Sequence, residues 1–123
     1  MIINFNSENL EDPSKYYHSH ASGNDDIFIT SGIVSRKDSN SGLNYGVKAR
    51  KNAINEIIYE HDVKLQFEDI VNQLEIICND LSFCKKDIRD HIVETRVYLV
   101  DLKKYFYDFN KNYGNWMGKR INY

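Results

Sequence analysis

The sequence contains no glycine and no proline between Gly46 and Gly114. The chain's single proline, Pro13, lies in the first 46 residues, where polar turn clusters are frequent. Glycine and proline are the residues that interrupt helices most strongly. Their absence from more than half of the chain argues against a loop-rich structure there and favours long helices.

Cysteine and long apolar runs are also scarce. The only two cysteines, Cys78 and Cys84, are six residues apart, a spacing that suits neither a disulfide scaffold nor a CxxC site. We predict that both are reduced packing residues. No apolar run approaches the roughly 20 residues of a membrane span, and the N-terminus lacks the layout of a signal peptide. The sequence thus predicts a cytoplasmic protein without membrane association.

Apolar residues in the glycine-free region recur at steps of three and four, the spacing that forms one face of a helix. One ladder comprises Val63, Phe67, Ile70, Leu74, Ile77 and Leu81; the other comprises Ile88, Ile92, Thr95, Leu99, Leu102, Phe106 and Phe109. We predict helix A at about 47–60, helix B at 62–80 and helix C at 84–112. Helices A and B are alternatively one bent helix, and a single uninterrupted helix rivals the turn near residues 79–82.

These elements predict a mainly α fold in one domain, residues 1–123. A long antiparallel helical hairpin or bundle at 47–113 follows an irregular region, 1–46, and precedes an aromatic and basic tail, 114–123. Residues 27–35 are rich in β-branched side chains and predict a short strand or, alternatively, a bent pair of strands forming a hairpin. Its expected partner is the segment 2–5 or the same segment of a second subunit.

Helix C has a second apolar row, formed by Val93, Val97, Val100 and Tyr107. A helix that is apolar on two sides needs two covering surfaces, and helix B supplies one of them. Helix A, the N-terminal strand region or another copy of the chain could supply the other. We predict a homodimer or a higher homo-oligomer.

A loop rich in glycine and small polar residues leads into the predicted start of helix A. Backbone N–H groups, the positive end of a helix dipole and three cations would meet there, an arrangement that favours phosphate or carboxylate. The GxxxxGK[ST] order of a P-loop is absent, and an ordinary solvated basic turn is the alternative. The candidate ligand-binding residues in this basic turn are Ser41, Gly42, Asn44, Tyr45, Gly46, Lys48, Arg50 and Lys51.

Further candidates lie on helix C and in the tail. Arg89, Arg96 and Lys103 recur every seven residues; such cations line a pocket or, alternatively, pair with acids of a neighbouring helix. Aromatic rings mixed with cations suit a nucleotide, because rings stack on bases while cations contact phosphates. The alternative is that Trp116 packs on the core. The tail candidates are Tyr113, Trp116, Lys119 and Arg120.

No motif for catalysis or metal binding accompanies these features. HExxH, GxSxG and zinc-spaced Cys/His clusters are all absent. We therefore predict a non-enzymatic binding protein without cofactor or metal, of phage or mobile-element origin and, if so, acting in the host cytoplasm. Its predicted ligand is a small anionic, nucleotide-like molecule, which it binds or sequesters. The alternative is a protein partner, as for an inhibitor, antitoxin or immunity protein, and nucleic-acid binding is a minor alternative.

Overall fold

The protein combines two α-helices with five short antiparallel strands in a computed structural model that describes residues 3–12, 19–24, 26–81 and 87–118. The strands are β1 (Ile3–Phe5), β2 (Ala21–Gly23), β3 (Phe28–Thr30), β4 (Val47–Lys51) and β5 (Ile57–His61). The helices are α1 (Val63–Asp80) and α2 (Leu102–Met117). The prediction of a mainly helical hairpin is therefore wrong.

Helix α1 matches predicted helix B closely. Asp62 caps its first turn by accepting a hydrogen bond from the backbone N–H of Leu65. The region predicted as helix A is instead the hairpin β4–β5. The residues between the two strands form a turn, and the strands pair in register from Val47 with His61 to Lys51 with Ile57. This hairpin excludes a bent A–B helix, and the absence of helix at residues 92–99 excludes a single rod through helices B and C.

Helix α2 replaces only the second half of predicted helix C. Asp101 caps it by accepting a hydrogen bond from the backbone N–H of Lys104. Residues 92–99 contain no helix, turn or bend, so Val93 and Val97 form no helical row. The helix also continues through Gly114, where the tail was predicted to begin, and ends at Gly118 with a positive φ of 60°.

The chain divides into two compact units, with the boundary inside α1. The first unit comprises the described residues within Met1–Ile33 and Val71–His91, and the second those within Val34–Ile70 and Ile92–Tyr123. Whether the chain acts as a single domain stays a prediction.

The first unit contains a three-stranded sheet in the order β1, β2, β3. The predicted strand at 27–35 shortens to β3, and its partner is β2; the predicted partner region, as β1, pairs with the other edge of β2. Asp80, at the end of α1, accepts hydrogen bonds from the Ser7 hydroxyl and the Asn9 amide, which hold the pKa of its carboxyl below the usual value.

Cys78 is buried in this first unit and is disulfide-bonded. The prediction of a reduced cysteine is therefore wrong for this residue. Its burial among the apolar residues of α1 agrees with a packing position, but the spacing of cysteines along the sequence could not show that the thiol was oxidised. Cys84 lies outside the described residues.

Candidate functional site

The hairpin β4–β5 carries the three cations of the basic turn, and it belongs to the second unit. Asn52 organises its turn: the side-chain oxygen accepts hydrogen bonds from the backbone N–H groups of Ile54 (3.0 Å) and Glu56 (2.9 Å). Asn55 completes the turn with a positive φ of 63°, a conformation that asparagine tolerates better than most residues. The three cations therefore lie on a strand, and the helix dipole expected beside them is absent.

Two of the three cations on the hairpin share an acidic neighbour. Lys48 lies directly opposite Glu60 in the ladder, and the Arg50 guanidinium forms an ion pair with the same carboxylate. Lys51 faces Ile57 instead and is exposed. Since Glu60 offsets part of the positive charge, the hairpin attracts an anion less strongly than three uncompensated cations would.

The opposite face of the hairpin carries Lys51 but is otherwise largely apolar and open to solvent. Residues paired across an antiparallel ladder share a face, so Ala49, Lys51, Ile57 and Tyr59 lie on the same side. Ile57 and Tyr59 are each more than half exposed, and Ile54 in the adjoining turn is exposed as well. This set, which we call the hairpin face, is unusual because two-stranded sheets are marginally stable without a covering surface.

The loop before β4 uses its polar groups internally. The backbone N–H groups of Gly42, Leu43 and Tyr45 donate to Asp38, Ser41 and Arg36, respectively. The Asn44 amide donates to the Ser35 carbonyl, and the Ser35 hydroxyl donates to the Tyr45 carbonyl. Most donors that the sequence offered for a phosphate therefore hold the loop in shape.

Arg36 and Asp69 hold this loop against α1, a role that no sequence motif indicated for either residue. The half-buried Arg36 guanidinium donates through Nη2 and Nε to Asp69 Oδ1 at 2.8 and 3.1 Å. The Arg36 backbone N–H also donates to Asp69 Oδ2 at 2.7 Å. Asp69 is buried, so these charge-assisted bonds compensate for its lost hydration.

Tyr113 and Trp116 belong to an aromatic cluster between α1 and α2. Phe67 meets the rings of Phe109, Tyr113 and Trp116 edge to face, with centroids 5.7 to 6.4 Å apart. Tyr113 also stacks on Phe109. These contacts agree with the packing alternative for Trp116, and they explain why the two helices meet along this line.

The remaining candidates lie in separate surroundings. Arg89, in the first unit, pairs with Asp87, and these hydrogen bonds raise the pKa of its guanidinium. Arg96, in the second unit, pairs with Glu94 at 2.8 Å, which likewise raises its pKa. Both acids are two residues away in sequence, so these two ion pairs are local. Lys119 and Arg120 lie outside the described residues.

Three residues of the hairpin face, Ile54, Ile57 and Tyr59, were not predicted as site residues. The sequence did contain a signal for them: residues 47–51 and 57–61 flank a turn with asparagine at both ends. Asparagine can supply the left-handed turn conformation that glycine usually supplies. The absence of glycine between Gly46 and Gly114 is therefore weak support for a helix at 47–60.

Neither a metal cluster nor a membrane span emerges from the described ranges. No three His, Cys, Asp or Glu side chains there are arranged to hold a metal ion. None of the helices in these ranges has the length and apolar character needed to cross a bilayer. No protein-family model, curated protein or solved structure matches the chain.

Proposed function

We propose that this protein is a non-catalytic binding protein whose partner is another protein, contacted through the hairpin face. The observation that carries this proposal is the exposure of Ile54, Ile57 and Tyr59 together on one hairpin. Apolar and aromatic side chains grouped in this way are typical of interaction sites. Lys48 and Lys51, exposed on either side of the hairpin, suit a partner surface with an apolar cleft bordered by acids.

The proposal can be tested by placing a photo-cross-linking phenylalanine at Tyr59, with a matched control at the exposed Tyr107 on α2. We expect a protein adduct that forms from position 59 and not from position 107. The identified partner should then bind the purified protein, and Ile57→Lys should weaken that binding by at least about 2 kcal/mol, or roughly 30-fold, as for a central interface residue.

Ile29→Lys is the control for the charge itself, because Ile29 is an isoleucine on β3 in the other unit that is also more than half exposed. It should leave the affinity unchanged. Equal losses for the two lysine variants, or equal adducts from the two cross-linking positions, would contradict a role for the hairpin face.

A small anionic, nucleotide-like ligand is the second candidate. It is supported by Lys51 and Tyr59, an exposed cation and an exposed ring on the same face, which could contact a phosphate and a base together. A panel of mono-, di- and cyclic nucleotides should then raise the thermal midpoint of the wild type and not that of Lys51→Gln. This result, without a protein adduct, would favour the ligand over the partner.

The location of the protein bears on the class of partner. The sequence predicts the cytoplasm, and this stays a prediction. The disulfide at Cys78 counts against it, because cytosolic thiols are normally kept reduced. A phage or mobile-element origin, with an inhibitor, antitoxin or immunity role, is the form of protein binding that the small size and lack of catalytic motifs suggest.

A further inference from the structure

Residues 92–100, which we call the extended segment, have the composition of a strand and belong to no sheet. Five of the nine are valine, isoleucine or threonine, the β-branched residues that favour strands. Among the described residues, none of their backbone groups takes part in a backbone hydrogen bond. Val93, Tyr98 and Val100 are 82%, 91% and 83% exposed.

Side-chain contacts show how the extended segment presents its residues. Arg96 Nε donates to Glu94 Oε1 at 2.8 Å, and contact between residues two apart is what an extended backbone produces, since alternate side chains share a face. Thr95 points to the other face, where the Tyr113 hydroxyl donates to its oxygen at 3.3 Å. The charged pair therefore lies on the face away from Thr95.

The sequence of the extended segment is complementary to itself when read in the opposite direction. With Thr95 opposite the Thr95 of an antiparallel copy, Glu94 lies opposite Arg96, Val93 opposite Val97 and Ile92 opposite Tyr98. Each is a favourable cross-strand combination: threonine with threonine, opposite charges, two β-branched residues, and a β-branched residue with an aromatic ring. The Thr95 pair lies on the symmetry axis and occurs once, and every other pair occurs twice, as an isologous interface requires.

Neighbouring symmetric registers lack this complementarity. Centring the pairing on Arg96 places two guanidinium groups opposite each other, and centring it on Glu94 does the same with two carboxylates. Like charges directly opposite destabilise a strand pair. Charge complementarity therefore selects both the occupant, a second copy of this chain, and the register.

We propose that the protein forms a homodimer in which two extended segments pair as antiparallel strands about a two-fold axis through Thr95. The pairing supplies backbone hydrogen bonds that the segment does not make with other described residues, and it buries Val93 and Tyr98 against Val97 and Ile92 of the second copy. This interface is separate from the hairpin face and does not depend on the proposed partner. A single strand pair is a small interface, below about 1,200 Å² in total, so we expect dissociation in the micromolar range or above.

Charge exchange tests the register directly. The wild type should show a concentration-dependent rise from 14.5 kDa toward twice that mass in sedimentation equilibrium. Glu94→Arg places two like-charged pairs in the dimer, and so does Arg96→Glu; each variant alone should weaken association at least tenfold. An equimolar mixture of the two variants restores both opposite-charge pairs and should form a heterodimer. The double variant, which combines Glu94→Arg with Arg96→Glu, also restores these pairs and should form a homodimer.

Cross-linking gives an independent measure of the register. Thr95→Cys places two thiols directly opposite each other and should yield a covalent dimer under mild oxidation. Val93→Cys is the control, because position 93 faces position 97 of the other copy and not itself. The wild type gives the background from its own cysteines, and circular dichroism checks that each variant folds.

The proposal is overturned if the wild type remains monomeric into the millimolar range. It is also overturned if the mixed charge variants associate no better than either variant alone, or if Val93→Cys cross-links as efficiently as Thr95→Cys.

Discussion

The hairpin β4–β5 and the extended segment are both exposed, but among the described residues only the hairpin pairs its backbone with a second strand. Its turn folds β5 back on β4, so each strand finds a partner a few residues away. The extended segment is followed by a bend and then by α2, which offers no second strand. Strand-forming residues become a sheet only where a neighbouring segment can pair with them.

A further backbone hydrogen bond joins the two ends of the hairpin opposite its turn: the Asp62 N–H donates to the Gly46 carbonyl. Gly46 has a φ of 80°, and an added Cβ there would approach the Asp62 carbonyl oxygen and the Gln66 side chain to 2.6 Å. The end of the hairpin and the start of α1 thus meet at a position that only glycine fits.

The largest expected effect is that of Gly46→Ala. The left-handed backbone costs about 1–2 kcal/mol for alanine, and the close contact with the Asp62 backbone adds about 1–3 kcal/mol. Urea unfolding should report the sum as a loss of stability. Gly42→Ala is the matched control, because Gly42 has a φ of 73° and open space around it, so it should show only the backbone cost. Equal losses would show that the contact at Gly46 is absent.

A proline substitution in each segment compares the two directly. The Asn52 N–H donates to the Glu56 carbonyl, so Asn52 and Glu56 form a hydrogen-bonded pair. Hydrogen-bonded pairs recur every second position of an antiparallel ladder, so the Ile58 N–H points toward its partner Arg50. Ile58→Pro should cost about 2–3 kcal/mol through the lost bond and the unpaired carbonyl. Val97→Pro should change the stability of the monomer by less than about 0.5 kcal/mol.

These stabilities should be measured by urea unfolding at a protein concentration low enough to keep the chain monomeric. At high concentration Val97→Pro should also reduce dimer formation, since proline adds no donor to a strand pair. A large loss for Val97→Pro in the dilute monomer would mean that the extended segment has a partner within its own chain.

The smallest effect concerns the hairpin turn. Asn52→Ala removes the oxygen that accepts from the N–H groups of Ile54 and Glu56, and it should cost about 1 kcal/mol because water replaces part of the interaction. Asn52→Asp keeps an acceptor and should lose less. Hydrogen exchange of the β5 amides should accelerate for the alanine variant, while exchange in α2 stays unchanged; uniform acceleration would show global unfolding instead.

The apolar spacing in the sequence was enough to predict α1, where a ladder of six residues, a capping Asp62 and the absence of a competing turn all agree. It predicted the second half of helix C for the same reason. It failed at 47–60 and 92–100, where β-branched residues happen to fall at helical spacing. At 92–100 the residue preferences fitted a strand, whereas at 47–51 they also fitted a helix, and only pairing with β5 made that segment a strand.

The candidate site shows the same division. The sequence identified Lys48, Arg50 and Lys51 as a concentration of cations, and they do lie together on β4. It could not show that Glu60 lies beside two of them, because that proximity depends on the pairing register of β4 and β5. It also could not show that Asp69 holds Arg36, a contact across 33 positions.

The sequence by itself determined the capped helix α1, the location of the basic residues and the short strand β3, because each depends on side chains close together in the chain. The tertiary structure alone decided which strands pair, which cations are neutralised and which apolar residues remain exposed. Those properties depend on contacts between distant residues, and local spacing carries no information about them.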